Sequence, residues 1–240
     1  MAATSKTTAE RFSAAAHARD GKHHILLAAS GSVATIKIPQ LAESLARHSN
    51  VSIRIVLTRS AEQFLQGQSA EQPALQSLLD IPNVDGIYHD EDEWSKPWVR
   101  SDKILHIELR RWAHVLLVAP LSANSLAKMT NGMSDNLLLS VIRAWDTTGL
   151  IDMRKRRIFV APAMNTAMWR HPITKKQIKV LEEDWGNGED GWVTVLRPME
   201  KELACGDVGD GAMMNWAQIV EYIEAHLEIG GGSKSKVNGD

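Results

Sequence analysis

Three short apolar runs, residues 24 to 29, 115 to 119 and 158 to 160, each give way abruptly to a loop of small polar side chains, and this repeated change constrains the chain more than any other feature. A short apolar run bounded by turn residues fits a strand covered on both faces, the situation of a parallel sheet. The last run, Ile158-Phe159-Val160, is stopped by Pro162 and followed by Met164, Asn165 and Met168. Two polarisable thioethers thus flank an amide that both donates and accepts hydrogen bonds. The run ending at residue 119 leads through Pro120 into Leu121-Ser122-Ala123-Asn124-Ser125, and the run ending at 29 leads into Ser30-Gly31-Ser32-Val33. Open α/β sheets bind ligands in the crevice outside the carboxyl ends of their strands, so these loops form the candidate site.

The segments between the runs read as helices. Ile38, Leu41, Ala42 and Leu45 fall at i, i+3, i+4 and i+7 with Pro39 in the first turn, and residues 52 to 57 predict a second strand that closes a βαβ unit. A dinucleotide fingerprint is missing there: the first turn holds one glycine, and the second strand runs into Thr58, Arg59 and Ser60 where an acidic residue would hold a ribose. Backbone N–H groups, hydroxyls and an arginine suit a monophosphate, although a tight turn and a helix cap would use the same residues. Residues 67 to 101 are less periodic, and Asp90-Glu91-Asp92-Glu93, between Tyr88 and Trp94, reads as a solvated face. His106 lies in a short amphipathic segment, where a histidine is either structural or a base. Residues 135 to 145 predict a helix apolar on most faces, buried in the core or between subunits. A basic run at 154 to 157 reads as an exposed loop, and a helix follows from Pro172 to about Glu183. A glycine-rich surface turn at 186 to 191, a strand at 192 to 196, a flexible Gly/Asp stretch around Cys205 and a closing helix from Trp216 to Leu227 complete the chain. Strands alternating with helices and no internal repeat imply one Rossmann-like, flavodoxin-like three-layer α/β domain with a mainly parallel sheet over residues 23 to 229. Residues 1 to 22 read as a disordered arm and 230 to 240 as a disordered tail.

A net charge of -2 gives no electrostatic reason to expect nucleic acid or a membrane surface as partner. A single cysteine, Cys205, rules out an internal disulfide and suits a reducing compartment, and residues 1 to 22 lack the apolar stretch of a secretory signal, so the expected location is cytoplasmic. No Cys/His cluster has metal-ligand spacing, and no G-x-S-x-G elbow marks a serine hydrolase.

Five blocks, in order, carry a resemblance: Ala28-Ala29-Ser30-Gly31-Ser32-Val33-Ala34, Leu105-His106-Ile107-Glu108-Leu109-Arg110-Arg111-Trp112, Ala119-Pro120-Leu121-Ser122-Ala123-Asn124, Pro162-Ala163-Met164-Asn165-Thr166-Ala167-Met168-Trp169 and Ala204-Cys205-Gly206-Asp207. Over roughly residues 23 to 228 the chain resembles the homo-oligomeric flavin-containing cysteine decarboxylases. The resemblance implies FMN held by Gly31, Ser32 and Val33 with Thr58, Arg59, Ser60, Ser122, Ala123, Asn124 and Ser125, and with Ala163 and Met164 beside it. It makes His106 the catalytic base and Cys205 the proton donor on a flap, with Asn165 binding the substrate carboxylate and Met168 and Ala204 shaping the substrate pocket. Within the family the likeness is nearest to members acting in coenzyme A biosynthesis, where 4'-phosphopantothenoylcysteine becomes 4'-phosphopantetheine and carbon dioxide through thiol oxidation, decarboxylation to an enethiol and re-reduction. One departure concerns the substrate phosphate: Glu202 stands where the family often has a basic residue, which leaves Lys201 to make that contact. A homotrimer with sites between subunits is implied as well, with the helix containing Leu137 as its expected interface. The alternatives are another flavin-dependent cysteine decarboxylase, or a regulatory subunit with a protein phosphatase as partner. Retention of both His106 and Cys205, and a tail without a long acidic run, favour the enzyme.

Overall fold

Period-two alternation along the strands decides what lies on each face of the molecule. The computed structural model describes residues 12–188, 190–202 and 208–230. In chain order its elements are β1 (His23–Ala29), α1 (Ile38–Leu45), β2 (Val51–Leu57), α2 (Arg59–Glu62), the hairpin β3 (Gln66–Ser69) and β4 (Gln72–Ala74), β5 (Val84–Tyr88), α3 (Leu105–Trp112), β6 (Val115–Leu121), α4 (Ala123–Thr130), α5 (Leu137–Arg143), β7 (Arg157–Pro162), α6 (Thr166–Arg170), α7 (Pro172–Lys179), β8 (Val193–Val195), the hairpin β9 (Met199–Glu202) and β10 (Val208–Ala212), and α8 (Trp216–Leu227). Six strands form one sheet in the order β5-β2-β1-β6-β7-β8, every neighbouring pair parallel. The order reverses between β1 and β6, which makes that junction the topological switch point of a doubly wound fold.

Ile25, Leu27, Ile53, Ile55 and Leu117 pack with Leu41, Ile219 and Ile223 of α1 and α8 on one face. Leu26, Ala28, Leu116, Val118 and Val160 pack with Leu109, Leu126, Leu138 and Ile178 of α3, α4, α5 and α7 on the other. Each fully buried Leu or Ile contributes about 1.5–3 kcal/mol of transfer free energy. Among the described residues no helix is long and apolar enough to cross a membrane.

Four expectations change. The arm expected to be disordered from 1 to 22 is packed from residue 12 onward: Phe12 is buried under the Arg54 guanidinium, 4.1 Å from its ring centre, and the Ala14 amide donates to Glu108 at 2.8 Å. An Ala/Ser/Thr-rich composition hides one aromatic anchor and the polar groups that follow it. The helix expected to offer an interface, α5, buries Leu137, Leu138, Leu139, Val141 and Ile142 inside its own chain, so it leaves no apolar surface for a partner. The acidic run is not a solvated face, since three of its four carboxylates accept hydrogen bonds from other segments or from its own turn. Finally, β6 passes through the cis Ala119–Pro120 bond instead of closing at Pro120, and the Pro120 carbonyl accepts from the Ser30 amide at 3.0 Å.

Candidate functional site

The carboxyl ends of β2, β1, β6 and β7 are finished with small polar groups, and local capping chemistry explains the shape. Ser30 is buried, and its hydroxyl accepts from the Ser122 amide at 2.8 Å, tying the loop after β1 to the loop after β6 across the switch point. Three strand-end residues cap the helix that follows. Thr58 Oγ1 accepts from the Ala61 amide, Ser122 Oγ from Ser125 at 3.3 Å, and Asn165 Oδ1 from Met168 at 2.8 Å. A Cβ on Gly31 would lie 2.6 Å from Ser60 Cβ, so only glycine lets these two loops approach so closely. Among the described residues no acceptor engages the amides of Gly31, Ser32 or Val33. The switch point therefore presents unpaired backbone donors beside the hydroxyls of Ser32 and Ser60, with Thr58 and Ser125 buried behind them and Arg59, Ala123 and Asn124 at the margin. Such a cradle fits a phosphate group.

At the end of β7, Ala163 and Met164 are buried while Asn165 and Met168 are exposed. With Asn165 Oδ1 occupied in the cap, its NH2 group is left to donate outward. The Met164 amide donates to the Gly211 carbonyl at 3.0 Å, and a Cβ on Gly211 would lie 2.2 Å from the Met164 carbonyl oxygen. Arg170 and Asp210 pair at 3.1 Å a residue away. These contacts seat the β9–β10 hairpin on the Met164 loop, a close backbone approach that a glycine at position 211 permits. Lys201 belongs to β9. Ala204 and Cys205, in the connection between the two strands, lie outside the described residues.

His106 sits in the first turn of α3, its side chain 21% exposed, with Nδ1 2.8 Å from Glu93 Oε1. Its backbone amide donates to Glu93 Oε2 at 3.0 Å. The segment holding Glu93 is itself anchored to the crevice: Asp90 accepts from the Leu137 amide at 3.0 Å, and His89 pairs with Glu62 of α2 at 2.7 Å. Burial pushes the Asp90 carboxyl above the ordinary carboxylate range despite the Leu137 amide. Among the described residues no hydrogen bond or ion pair joins His106 directly to the strand-end loops. Glu93 was missed because a charge run normally marks a solvated face. Its flanking Tyr88 and Trp94 were the available sign of partial burial.

A doubly wound α/β protein with a glycine- and hydroxyl-lined cradle at its switch point is what this fold and crevice define. Residues 13–228 match the Flavoprotein family, and the chain belongs to that family. It is 42% identical over 218 residues to a protein of Arabidopsis thaliana named phosphopantothenoylcysteine decarboxylase, covering 88% of this chain and 91% of that one. Its fold resembles a PPC decarboxylase cysteine-to-serine mutant complexed with pantothenoylaminoethenethiol, with a TM-score of 0.70 and 41% identity over 86% of this chain and 99% of the other. It also resembles the FMN binding protein AtHal3, with a TM-score of 0.68 and 42% identity over 86% and 97% of the two chains. The chain spans only 30% of the length of a Schizosaccharomyces pombe relative named probable thymidylate synthase, to which it is 42% identical.

Proposed function

We propose that the chain is an FMN-dependent decarboxylase that converts 4'-phosphopantothenoylcysteine to 4'-phosphopantetheine and carbon dioxide. The observation that carries this reading is the Gly31–Ser60 cradle with its unpaired amides, placed at the switch point of a chain whose relatives bear that activity in their names. Gly31, Ser32, Val33, Thr58, Arg59, Ser60 and Ser122 to 125 would hold the flavin, with Ala163 and Met164 against it. The chemistry that FMN supplies when bound is a two-electron sink for the substrate thiol, without which loss of the carboxylate would leave an unstabilised carbanion.

The chain's own residues handle binding and protons. The outward NH2 of Asn165 donates to the substrate carboxylate, and Met168 walls the pocket beside it. His106 Nε2 takes the thiol proton, and Cys205, which follows β9 in the sequence, returns a proton to the product carbon. Lys201 pairs with the substrate phosphate. The assembly is a homotrimer whose partner supplies part of each site. Its contact surface draws on exposed apolar side chains of two segments, Trp94, Trp98 and Val99 in one and Leu150, Ile151 and Met153 in the other, the second held to α3 by the Arg110–Asp152 ion pair.

Incubating the purified protein with 4'-phosphopantothenoylcysteine, and weighing product and carbon dioxide by mass spectrometry, tests the reading. A yellow protein that forms 4'-phosphopantetheine, with Cys205→Ser accumulating a product two mass units lighter, supports it. A colourless or inert wild type contradicts it.

A further inference from the structure

We infer that Glu93 is a positioning residue that fixes the ring tautomer and orientation of His106, an inference that rests on the proposed role of His106 as base. Its side chain is 4% exposed, yet both oxygens of this carboxylate are engaged by one residue: Oε2 accepts from the His106 amide at 3.0 Å and Oε1 faces His106 Nδ1 at 2.8 Å. A carboxylate only accepts hydrogen bonds, so Nδ1 carries the ring proton. The lone pair is left on Nε2, the nitrogen pointing away from Glu93, and that is the one atom of the ring able to take a proton from a substrate. Gripping backbone and ring together also fixes where Nε2 points, because the same group sets the start of α3 and the rotation of the side chain.

The placement of Glu93 is not incidental. Desolvating a carboxylate is costly unless its acceptor capacity is met, and here His106 meets it. The turn that carries Glu93 is closed by the His89 amide on Asp92 at 2.8 Å, and it is pinned by Asp90, which accepts from the Leu137 amide at 3.0 Å, and by His89, whose Nδ1 lies 2.7 Å from Glu62 of α2. Helix α2 opens directly from the Thr58 to Ser60 segment of the cradle. Bonds thus run from that helix through residues 89 to 93 to the base, and set the relative position of base and cradle although the two are not in direct contact. A plain helix cap would need only the contact to the His106 amide. The second bond, to the ring, is the one a cap does not explain.

Glu93→Gln separates the two roles. The glutamine oxygen still accepts from the His106 amide, and its NH2 is then satisfied only by donating to Nδ1, which moves the ring proton to Nε2 and removes the base with little change of shape. In the FMN-loaded full-length protein, Glu93→Gln is expected to lower kcat about 10²–10⁴-fold, the order seen when a comparable carboxylate-to-amide change reverses a catalytic histidine's tautomer, while KM and flavin affinity stay within about threefold. Nitrogen-15 histidine spectra, with the His106 signals assigned by their loss in His106→Asn, read the tautomer independently of turnover. Wild type should show the proton on Nδ1, and Glu93→Gln should show it on Nε2. A wild-type ring protonated on Nε2, or a Glu93→Gln enzyme with undiminished kcat, overturns the inference. A wild type that shows the expected tautomer but makes no product sinks the decarboxylase reading instead and leaves the Glu93 geometry standing.

Discussion

The two ends of the parallel sheet are built from opposite materials. At the amino end the strands are closed by aromatic and imidazole rings. The His24 ring stacks on Trp112 and on His114, each at 4.6 Å, and its Nε2 lies 3.0 Å from Asp20. At the carboxyl end the same strands stop in glycine, hydroxyls and unpaired amides, with Val33 and Met168 half exposed. Burial at one end supplies stability from groups with no reason to face a ligand, and this leaves the other end free to keep polar backbone unsatisfied by the protein itself. Stability and binding are therefore expected to respond to substitutions at different ends.

The largest effect should follow from Trp112→Ala, which removes a fully buried ring at the amino end. A loss of about 3–5 kcal/mol in denaturant unfolding is expected, with flavin affinity by fluorescence titration unchanged. A fall in affinity of tenfold or more would show that the two ends are not independent. Gly31→Ala acts at the other end. Its new methyl meets Ser60, so flavin affinity should fall roughly 10–100-fold for an unfolding cost of about 1–3 kcal/mol. Undisturbed affinity would mean that the Gly31–Ser60 approach does not form the cradle.

Acid should act on the amino end first. Burial, with the neighbouring His24, Arg154, Arg156 and His23, lowers His114 from 6.5 to about 4. The folded state thus binds fewer protons than the unfolded chain, so this contribution to stability is present above pH 6.5 and is lost as the pH falls towards 4. Allowing for its partial exposure, the loss is about 1–2 kcal/mol. His114→Asn keeps an acceptor for the His24 amide and should flatten that part of the stability profile. The flattening will be incomplete, because burial lowers His17 and His226 in the same direction. The smallest effect on folding belongs to Asn165→Ala, about 1 kcal/mol from the lost α6 cap, accompanied by a KM for substrate raised at least tenfold. An unchanged KM would assign Asn165 to capping alone.

How much of this was legible in the sequence follows the same division. The strands at 24 to 29, 115 to 119 and 158 to 160 were readable as short apolar runs that end at a turn residue, and 52 to 57 by its four β-branched or apolar residues ahead of Thr58-Arg59-Ser60. The edge strand β5 was not, since it carries Asp85 and Gly86. Asp85 accepts from the Ser52 hydroxyl, and among the described residues the outer edge of β5 has no neighbouring strand. The β9–β10 hairpin was hidden because its seat on Met164 is a long-range backbone contact that leaves no local pattern. The crevice residues were legible as loops at strand ends, whereas Glu93 was not, because its partner His106 lies thirteen residues further on and outside any regular period.

A structure of the protein with FMN bound tests the central claim most directly. The flavin is expected at the switch point between β1 and β6, with its phosphate on the Gly31, Ser32 and Val33 amides and the Thr58 to Ser60 loop. A flavin found instead in the cavity of about 520 Å³ lined by Met129, Leu139, Trp145 and the stacked Trp185 and Trp192 would contradict it.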